Sequence, residues 1–170
     1  MDSGLNRLKM ICKWCHVGTC LVSVVIIVLI LALLSLIGLV TLYPDAVDMS
    51  TIHVDEFDGE LMAGQFVGLC ILTTLMLILL LAILIILGNI FKSISKEYSP
   101  FIESNYRRLM IVASLTLLSL IFVPFENIIG LNVDYVSNTI TILFVSLLIY
   151  SLALIFRYGQ YLQKESDETL

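Results

Sequence analysis

The thiols and the imidazole that stand closest together in the sequence lie in the run Cys12-Lys13-Trp14-Cys15-His16. C-x-x-C-H is the pattern of c-type haem attachment, and C-x-x-C alone is typical of redox sites and half-zinc sites. A structural zinc site needs four ligands, and the nearest further one, Cys20, belongs to an apolar run. We therefore predict no catalytic, cofactor-binding or metal-binding residue, with a thiol or metal enzyme built on Cys12 and Cys15 as an alternative.

A second group with chemical potential is the cluster of carboxylates in 44–60, a segment that also contains His53. Clustered carboxylates attract cations and cationic peptides, and a histidine adds pH sensitivity near neutrality. The order of these residues does not fit the D-x-D-x-D-G calcium loop. We predict a solvated acidic loop. A small transporter or an immunity protein against membrane-active peptides is the alternative that this loop suggests.

The third motif is Gly64-Gln-Phe-Val-Gly68, a G-x-x-x-G within an apolar segment. Small residues at this spacing let two membrane helices approach closely. We predict that Gly64 and Gly68 pack against another helix of the same bundle. Packing against a second copy of the chain, in a homo-oligomer, is the alternative.

The elements that position these groups are set by unbroken apolar runs. Of 170 residues, 59% are hydrophobic and only 14% are charged, which is more apolar surface than a soluble domain of this size can hide. Each run is long enough to cross, or nearly cross, a hydrocarbon core about 30 Å thick as a helix. The sequence predicts an all-α, single-domain integral membrane bundle with transmembrane helices at about 17–43, 61–91, 105–129 and 135–157.

The orientation of the bundle follows from its positive charges. All nine Lys and Arg residues flank the predicted helices on one side, whereas the opposite loops hold eight carboxylates and no Lys or Arg. Because positive residues resist translocation, both termini are predicted to be cytoplasmic. The net charge of −5 thus divides across the membrane and predicts no direct nucleic-acid binding. Outside the helices lie an acidic outer loop at 44–60, an inner loop at 92–104 and a cytoplasmic tail at 158–170.

The four apolar runs contain no Asp, Glu, Lys or Arg. Ion-coupled and proton-coupled carriers usually place an ionisable residue at membrane depth, and the Ser and Thr hydroxyls available here commonly bond to their own helix or to a neighbour. No polar transport path is expected, and we predict that the protein is not an enzyme.

Local signals also predict where two helices begin or end. Ser99 suits the N-cap of the third helix, Pro100 its first helical position and Glu103 its first turn. Extension of that helix past Pro124 towards Ile129 would give it enough length to span. Near the other terminus, Gly159 is predicted to break the fourth helix.

Two cytoplasmic stretches resemble a bacterial membrane family catalogued as domain of unknown function 2975. The first is Ser99-Pro100-Phe101 followed by Asn105 and Arg108-Leu109, and the second is the tail 156–170, with the pattern Gly-x-x-Leu-Gln-x-Glu-x-Asp-x-Thr. Length and four-helix layout match as well. The resemblance implies a bacterial cytoplasmic membrane protein encoded beside a small helix-turn-helix regulator.

The function that this resemblance implies is a non-enzymatic regulator that binds or sequesters the cytoplasmic transcription factor. Beyond the lipid bilayer, its partner would then be a DNA-binding protein. The predicted docking residues are Ser99, Pro100, Phe101, Asn105, Arg108, Gly159, Leu162, Gln163, Glu165, Asp167 and Thr169.

Overall fold

The computed structural model describes residues 2–43, 63–96, 100–128 and 135–168. Within those ranges the chain is helical apart from short stretches, and it contains no strand. The α-helices are α1 (Asp2–Leu42), α2 (Ala63–Lys96), α3 (Glu103–Leu118), α4 (Val123–Ile128) and α5 (Tyr135–Glu168), with a 3-10 turn at Ser119–Ile121. The all-α prediction is confirmed for the described residues.

Four of the described segments are long and apolar enough to cross a membrane. Long helices suit a bilayer because each one satisfies its own backbone hydrogen bonds without water. The prediction of a multi-pass membrane protein is therefore confirmed. The four spans are Asn6–Leu42, Gly64–Lys96, Glu103–Phe125 and Val136–Ser166.

The spans pack as two neighbouring hairpins. The most extensive contacts are those of α1 with α2 and of α3 with α5, and α2 joins the hairpins by packing beside α3. A small core forms where α2, α3 and α5 meet, around Ile90, Leu109 and Ala153. Helix α1 lies at the periphery, and its span is the least buried of the four.

Both ends of the described chain lie at the same end of the bundle. Thr19 of α1 approaches Gly88 of α2, Arg108 of α3 lies beside Asn89 of α2, and Arg157 of α5 lies over the Tyr106 ring of α3. These contacts bring together the first half of α1, the end of α2, the start of α3 and the last third of α5. We call this the basic end, because every Lys and Arg of the chain flanks it. The cytoplasmic location of the basic end stays a prediction from charge.

The third span is interrupted rather than continuous from 105 to 129 as predicted. Its regular α-helix ends at Leu118, and the 3-10 turn follows, in which the Phe122 N–H donates to the Ser119 carbonyl at 3.1 Å. Pro124 explains the interruption, because it has no N–H and its ring clashes with the carbonyl four residues earlier. Helix α4 then carries the chain through Ile128; the side chain of Glu126, like 129–134, lies outside the described residues.

Four of the predicted helix boundaries at the basic end are wrong. Helix α1 begins at Asp2 rather than near position 17, and α2 ends at Lys96 rather than near position 91. Helix α3 begins at Glu103 with Ile102 as its N-cap residue, so Pro100 does not occupy the first helical position; Ser99 lies outside the described residues. Helix α5 does not break at Gly159 but continues to Glu168, so the predicted tail from 158 onward is mostly helical. The acidic loop 44–60 also lies outside the described residues.

Side-chain hydroxyls within the spans bond to backbone carbonyls, as the sequence predicts. Buried Thr74 donates to the Cys70 carbonyl of its own helix at 2.7 Å. Buried Ser146 of α5 instead donates to the Ala113 carbonyl of α3 at 3.1 Å. This second bond crosses between helices and links α3 to α5 within their apolar spans.

Candidate functional site

The two stretches that carry the family resemblance meet at the basic end. Phe101 lies against α5 at Gly159, and a Cβ atom built on Gly159 would come within 2.6 to 2.9 Å of three atoms of its ring. No side chain fits at that distance. Glycine at 159 is therefore required by the close approach of the ring, which explains why this residue lies inside a continuous helix rather than at its end.

Phe101 is also held by a second aromatic ring on the same helix. Its centroid lies 5.4 Å from that of Phe156, with the ring planes at 66°. This edge-to-face arrangement is one that aromatic pairs prefer, because the positive edge of one ring faces the negative face of the other. Gly159 and Phe156 lie one turn apart on α5, and together they contact the Phe101 ring, which precedes α3 in the chain.

Asn105 fixes the path of the chain that leads to Phe101. Its side chain is fully buried, and its Nδ2 donates to the Pro100 carbonyl at 3.0 Å. The Asn105 N–H donates to the Ile102 carbonyl at 3.0 Å, and Ile102 itself has extended backbone angles without a side-chain cap. The side-chain amide of Asn105 therefore anchors the Pro100 carbonyl from inside the helix, which differs from the predicted N-cap role of Ser99, a side chain that would accept from the first N–H groups of the helix.

Two basic residues tie α3 to its neighbours. The guanidinium carbon of Arg157 lies 5.7 Å from the centroid of the Tyr106 ring, which joins α5 to α3 through a cation–π contact. Nη1 of Arg108 lies 3.4 Å from both the Asn89 carbonyl of α2 and the Oδ1 of Asn105. Helices α2, α3 and α5 are thus connected through polar groups at one level.

The predicted docking residues fall into two groups in the structure. Pro100, Phe101, Asn105, Arg108 and Gly159 form or border the internal junction just described, which we call the Phe101 seat. Leu162, Gln163 and Glu165 lie beyond it, exposed on the last turns of α5. The Asp167 side chain and all of Thr169 lie outside the described residues. Among the described docking residues, Leu162, Gln163 and Glu165 are the exposed ones.

This exposed end of α5, which we call the α5 arm (Arg157–Glu168), carries aromatic side chains. Tyr158 and Tyr161 are each 64% exposed and Leu162 is 46% exposed. In a helix, Tyr158, Leu162 and Glu165 share one face, with Tyr161 beside them. Lys164 and Glu168 form an ion pair of 3.8 Å along the arm.

The cysteine cluster does not assemble into a site. Cys12 is buried, Cys15 is half-buried and Cys20 is exposed, and Cys20 Sγ lies 4.0 Å from the His16 ring. Among the residues that the structure describes, no three His, Cys, Asp or Glu side chains are grouped closely enough to hold a metal ion. The positions of these residues therefore do not support the alternative of a thiol or metal enzyme.

The close approach of helices α1 and α2 occurs at a glycine that sequence reasoning did not single out. A Cβ atom on Gly88 would lie 3.0 Å from Thr19 Oγ1 and 3.5 Å from His16 Nδ1. Gly64, by contrast, has nothing within 4 Å of the same position, so its predicted packing contact is not made within the described chain. The sequence signal for Gly88 is a lone glycine beside Asn89 in an otherwise apolar helix.

Comparison with known proteins identifies no relative of this chain. The chain matches no protein-family model, no curated protein and no solved structure. The resemblance to the family catalogued as domain of unknown function 2975 therefore stays a prediction, and the site is characterised by its own geometry.

Proposed function

We propose that this chain is a non-enzymatic regulatory protein of the bacterial cytoplasmic membrane that holds a small helix-turn-helix transcription regulator through its α5 arm. The observation that carries this proposal is the arm itself. It continues for twelve residues beyond Phe156, the last residue of the apolar run, or about 18 Å at about 1.5 Å per residue. A helix of that length stands clear of the membrane surface and is accessible to a soluble protein.

The side chains of the arm favour a protein partner over solvent alone. Tyrosines are enriched at protein interfaces because they combine a large apolar ring with a hydrogen-bonding tip. An apolar face at this spacing suits recognition of a helix in a groove. Glu165 adds negative charge, which complements a basic partner and directs its approach. The choice of a DNA-binding regulator rests on the family resemblance and the basic character of such proteins.

The Phe101 seat supports the proposal by giving the arm a fixed direction. Since Phe101 packs against Gly159 within the arm, any movement of α3 in the membrane is passed to the first turn of the arm. A membrane event that moves α3 would therefore change how the arm is presented. This is the physical route by which the protein would convey a signal to its partner.

Co-purification of the full chain with its native neighbours expressed tests the proposal. With a tag placed in 44–60, the wild type is expected to retain a small cytosolic DNA-binding protein that mass spectrometry identifies. The double variant Tyr158→Ala/Leu162→Ala is expected to lose it. Lys164→Ala/Glu168→Ala, which removes an exposed ion pair from the same arm, is the matched control and is expected to retain most of the binding. Recovery of no such regulator by the wild type would contradict the proposal.

A further inference from the structure

A pocket opens at the basic end between the last turns of α2 and the first turn of α3. Its volume is ≈ 350 Å³, and its lining includes the cationic side chains Lys92, Lys96 and Arg108 together with the polar residues Asn89, Ser93 and Ser104. No Asp or Glu is among the described residues that line it. Three positive charges thus line an open cavity that has room for a phosphate group. We call it the α2–α3 basic pocket.

The cations of this pocket are not neutralised by the described part of the chain. The ion pairs of Arg107 with Glu103 and of Lys164 with Glu168 do not involve a pocket residue. Arg108 uses only Nη1 in its contacts with Asn89 and Asn105. Its Nη2 and Nε groups keep their capacity to donate hydrogen bonds, since a guanidinium has five N–H donors. Gathering like charges around a cavity costs free energy unless an anion enters it.

The depth of the pocket indicates which anions can reach it. The apolar run of α2 ends at Phe91 and that of α3 starts at Leu109, so Lys92 and Arg108 lie where hydrocarbon gives way to headgroups. Basic pockets between membrane helices at this level bind lipid phosphates. Hydroxyls such as those of Ser93 and Ser104 add neutral donors for phosphate oxygens. Ser104 also lies in the first turn of α3, where the helix dipole favours negative charge.

We propose that the α2–α3 basic pocket binds the phosphate group of an anionic membrane lipid. Arg108 contributes a planar donor fork held by Asn105 and Asn89, and Lys92 and Lys96 contribute mobile charges at the rim. Because Asn105 also anchors Pro100, an occupied pocket stabilises the loop that leads to the Phe101 seat. The inference is independent of the proposed transcription regulator, since it concerns a different surface.

Lipid titration of the purified full chain in neutral detergent tests this proposal, with native mass spectrometry reading the bound fraction. The probes are phosphatidylglycerol, phosphatidylcholine and soluble sn-glycerol 3-phosphate. The wild type is expected to prefer phosphatidylglycerol over phosphatidylcholine. Lys92→Gln/Lys96→Gln is expected to weaken that preference by roughly fivefold per cation, the contribution of one basic residue near an anionic membrane. Both residues are exposed, so this variant is expected to fold.

Two controls separate the pocket from diffuse attraction. Arg7→Gln/Lys13→Gln removes the same charge from the same end of the bundle outside the pocket, and it is expected to keep the preference for phosphatidylglycerol. Arg108→Gln is compared with Arg107→Gln, its neighbour outside the pocket, and only the former is expected to lose selectivity. Equal losses in the two double variants, or no preference in the wild type, would overturn the proposal. Competition by sn-glycerol 3-phosphate at the concentration of the lipid would overturn the lipid assignment in favour of a soluble phosphate ester.

Discussion

At the scale of single residues, the basic end depends on two side chains whose roles differ from those that their positions first suggest. Gly159 is a seat for Phe101, and Asn105 is a buried anchor for Pro100. Asn105 is buried and Gly159 is only partly exposed. Both determine how the inner loop meets α5, so their substitution is expected to affect stability and, through it, the presentation of the arm.

Gly159→Ala is expected to destabilise the protein. The added methyl would lie 2.6 Å from the Phe101 ring, and overpacking of this kind costs about 1–3 kcal/mol. Thermal unfolding in detergent measures the loss, and Phe101→Leu in the same chain is expected to recover part of it. Gly38→Ala is the control, because nothing lies within 4 Å of its Cβ position and alanine favours helix by about 1 kcal/mol. If Gly159→Ala raised the unfolding temperature as much as Gly38→Ala does, the close packing of Phe101 against Gly159 would be contradicted.

Asn105→Ala is expected to lower the free energy of unfolding by about 1–3 kcal/mol, the cost of leaving a buried polar partner unsatisfied. The Pro100 carbonyl would lose its donor at 3.0 Å, and Arg108 would lose one of its two acceptors. Ser114→Ala serves as the comparison, since that exposed hydroxyl bonds only to the Met110 carbonyl of its own helix. If chemical unfolding gave the same free energy of unfolding for the two variants, Asn105 would not have the anchoring role.

At the scale of elements, the helices differ in how they are held. Helix α3 is the central element: its span is the least apolar and the most buried of the four, and it packs against both α2 and α5. A helix shielded by protein needs less hydrophobicity than one that faces lipid on most sides. Helix α1 is the opposite case, because its long apolar surface is exposed except along α2. Gly88 lies where α1 and α2 approach each other closely within that contact.

Gly88→Ala is expected to weaken the α1–α2 hairpin. Its methyl would press on Thr19 Oγ1 at 3.0 Å, and that hydroxyl is held by its own bond of 2.8 Å to the His16 carbonyl. The substitution is expected to lower the thermal unfolding temperature, and adding Thr19→Ala is expected to restore it by removing the obstructing atom. Gly64→Ala in the same helix meets open space and is expected to be neutral or stabilising. Destabilisation by Gly64→Ala alone would instead indicate packing against a second copy.

At the scale of the whole molecule, most of the large apolar side chains of α1 and many of α5 are exposed. In water such a surface would drive aggregation, whereas in a bilayer it is solvated by lipid tails. The core around Ile90, Leu109 and Ala153 is small for this reason. With the lipid as solvent, the molecule presents its specific chemistry at the ends of the bundle, and the described residues concentrate it at the basic end.

The orientation of the whole bundle is expected to follow its positive charges, with the basic end in the cytoplasm. In a background without the four native cysteines, Ser166→Cys is expected to resist a membrane-impermeant maleimide added to intact cells. Ser50→Cys is expected to react with it. The two positions lie on opposite sides of the predicted membrane, so each is the control for the other. Labelling of position 166 from outside would reverse the predicted orientation.

The sequence by itself determined the four spans, because crossing a bilayer depends on a local property, the length of an uncharged apolar run. It also located Phe101, Asn105, Arg108 and Gly159 as residues of interest, through their resemblance to a family. It misassigned the start of α3 and the end of α5. Both errors arose because N-cap and C-cap preferences were read locally at places where contacts between helices determine the backbone.

Only the tertiary structure decided which residues meet. Lipid tails are as apolar as leucine, so hydrophobicity does not specify which helix packs on which. That choice depends on shape: Thr19 packs against Gly88, and Phe101 packs against Gly159. Gly64 belongs to the G-x-x-x-G motif, but nothing lies within 4 Å of its Cβ position. The same packing gathers Lys92, Lys96 and Arg108 around one pocket. In the sequence they are scattered charges at the ends of two helices, and their proximity follows from how α2 and α3 pack.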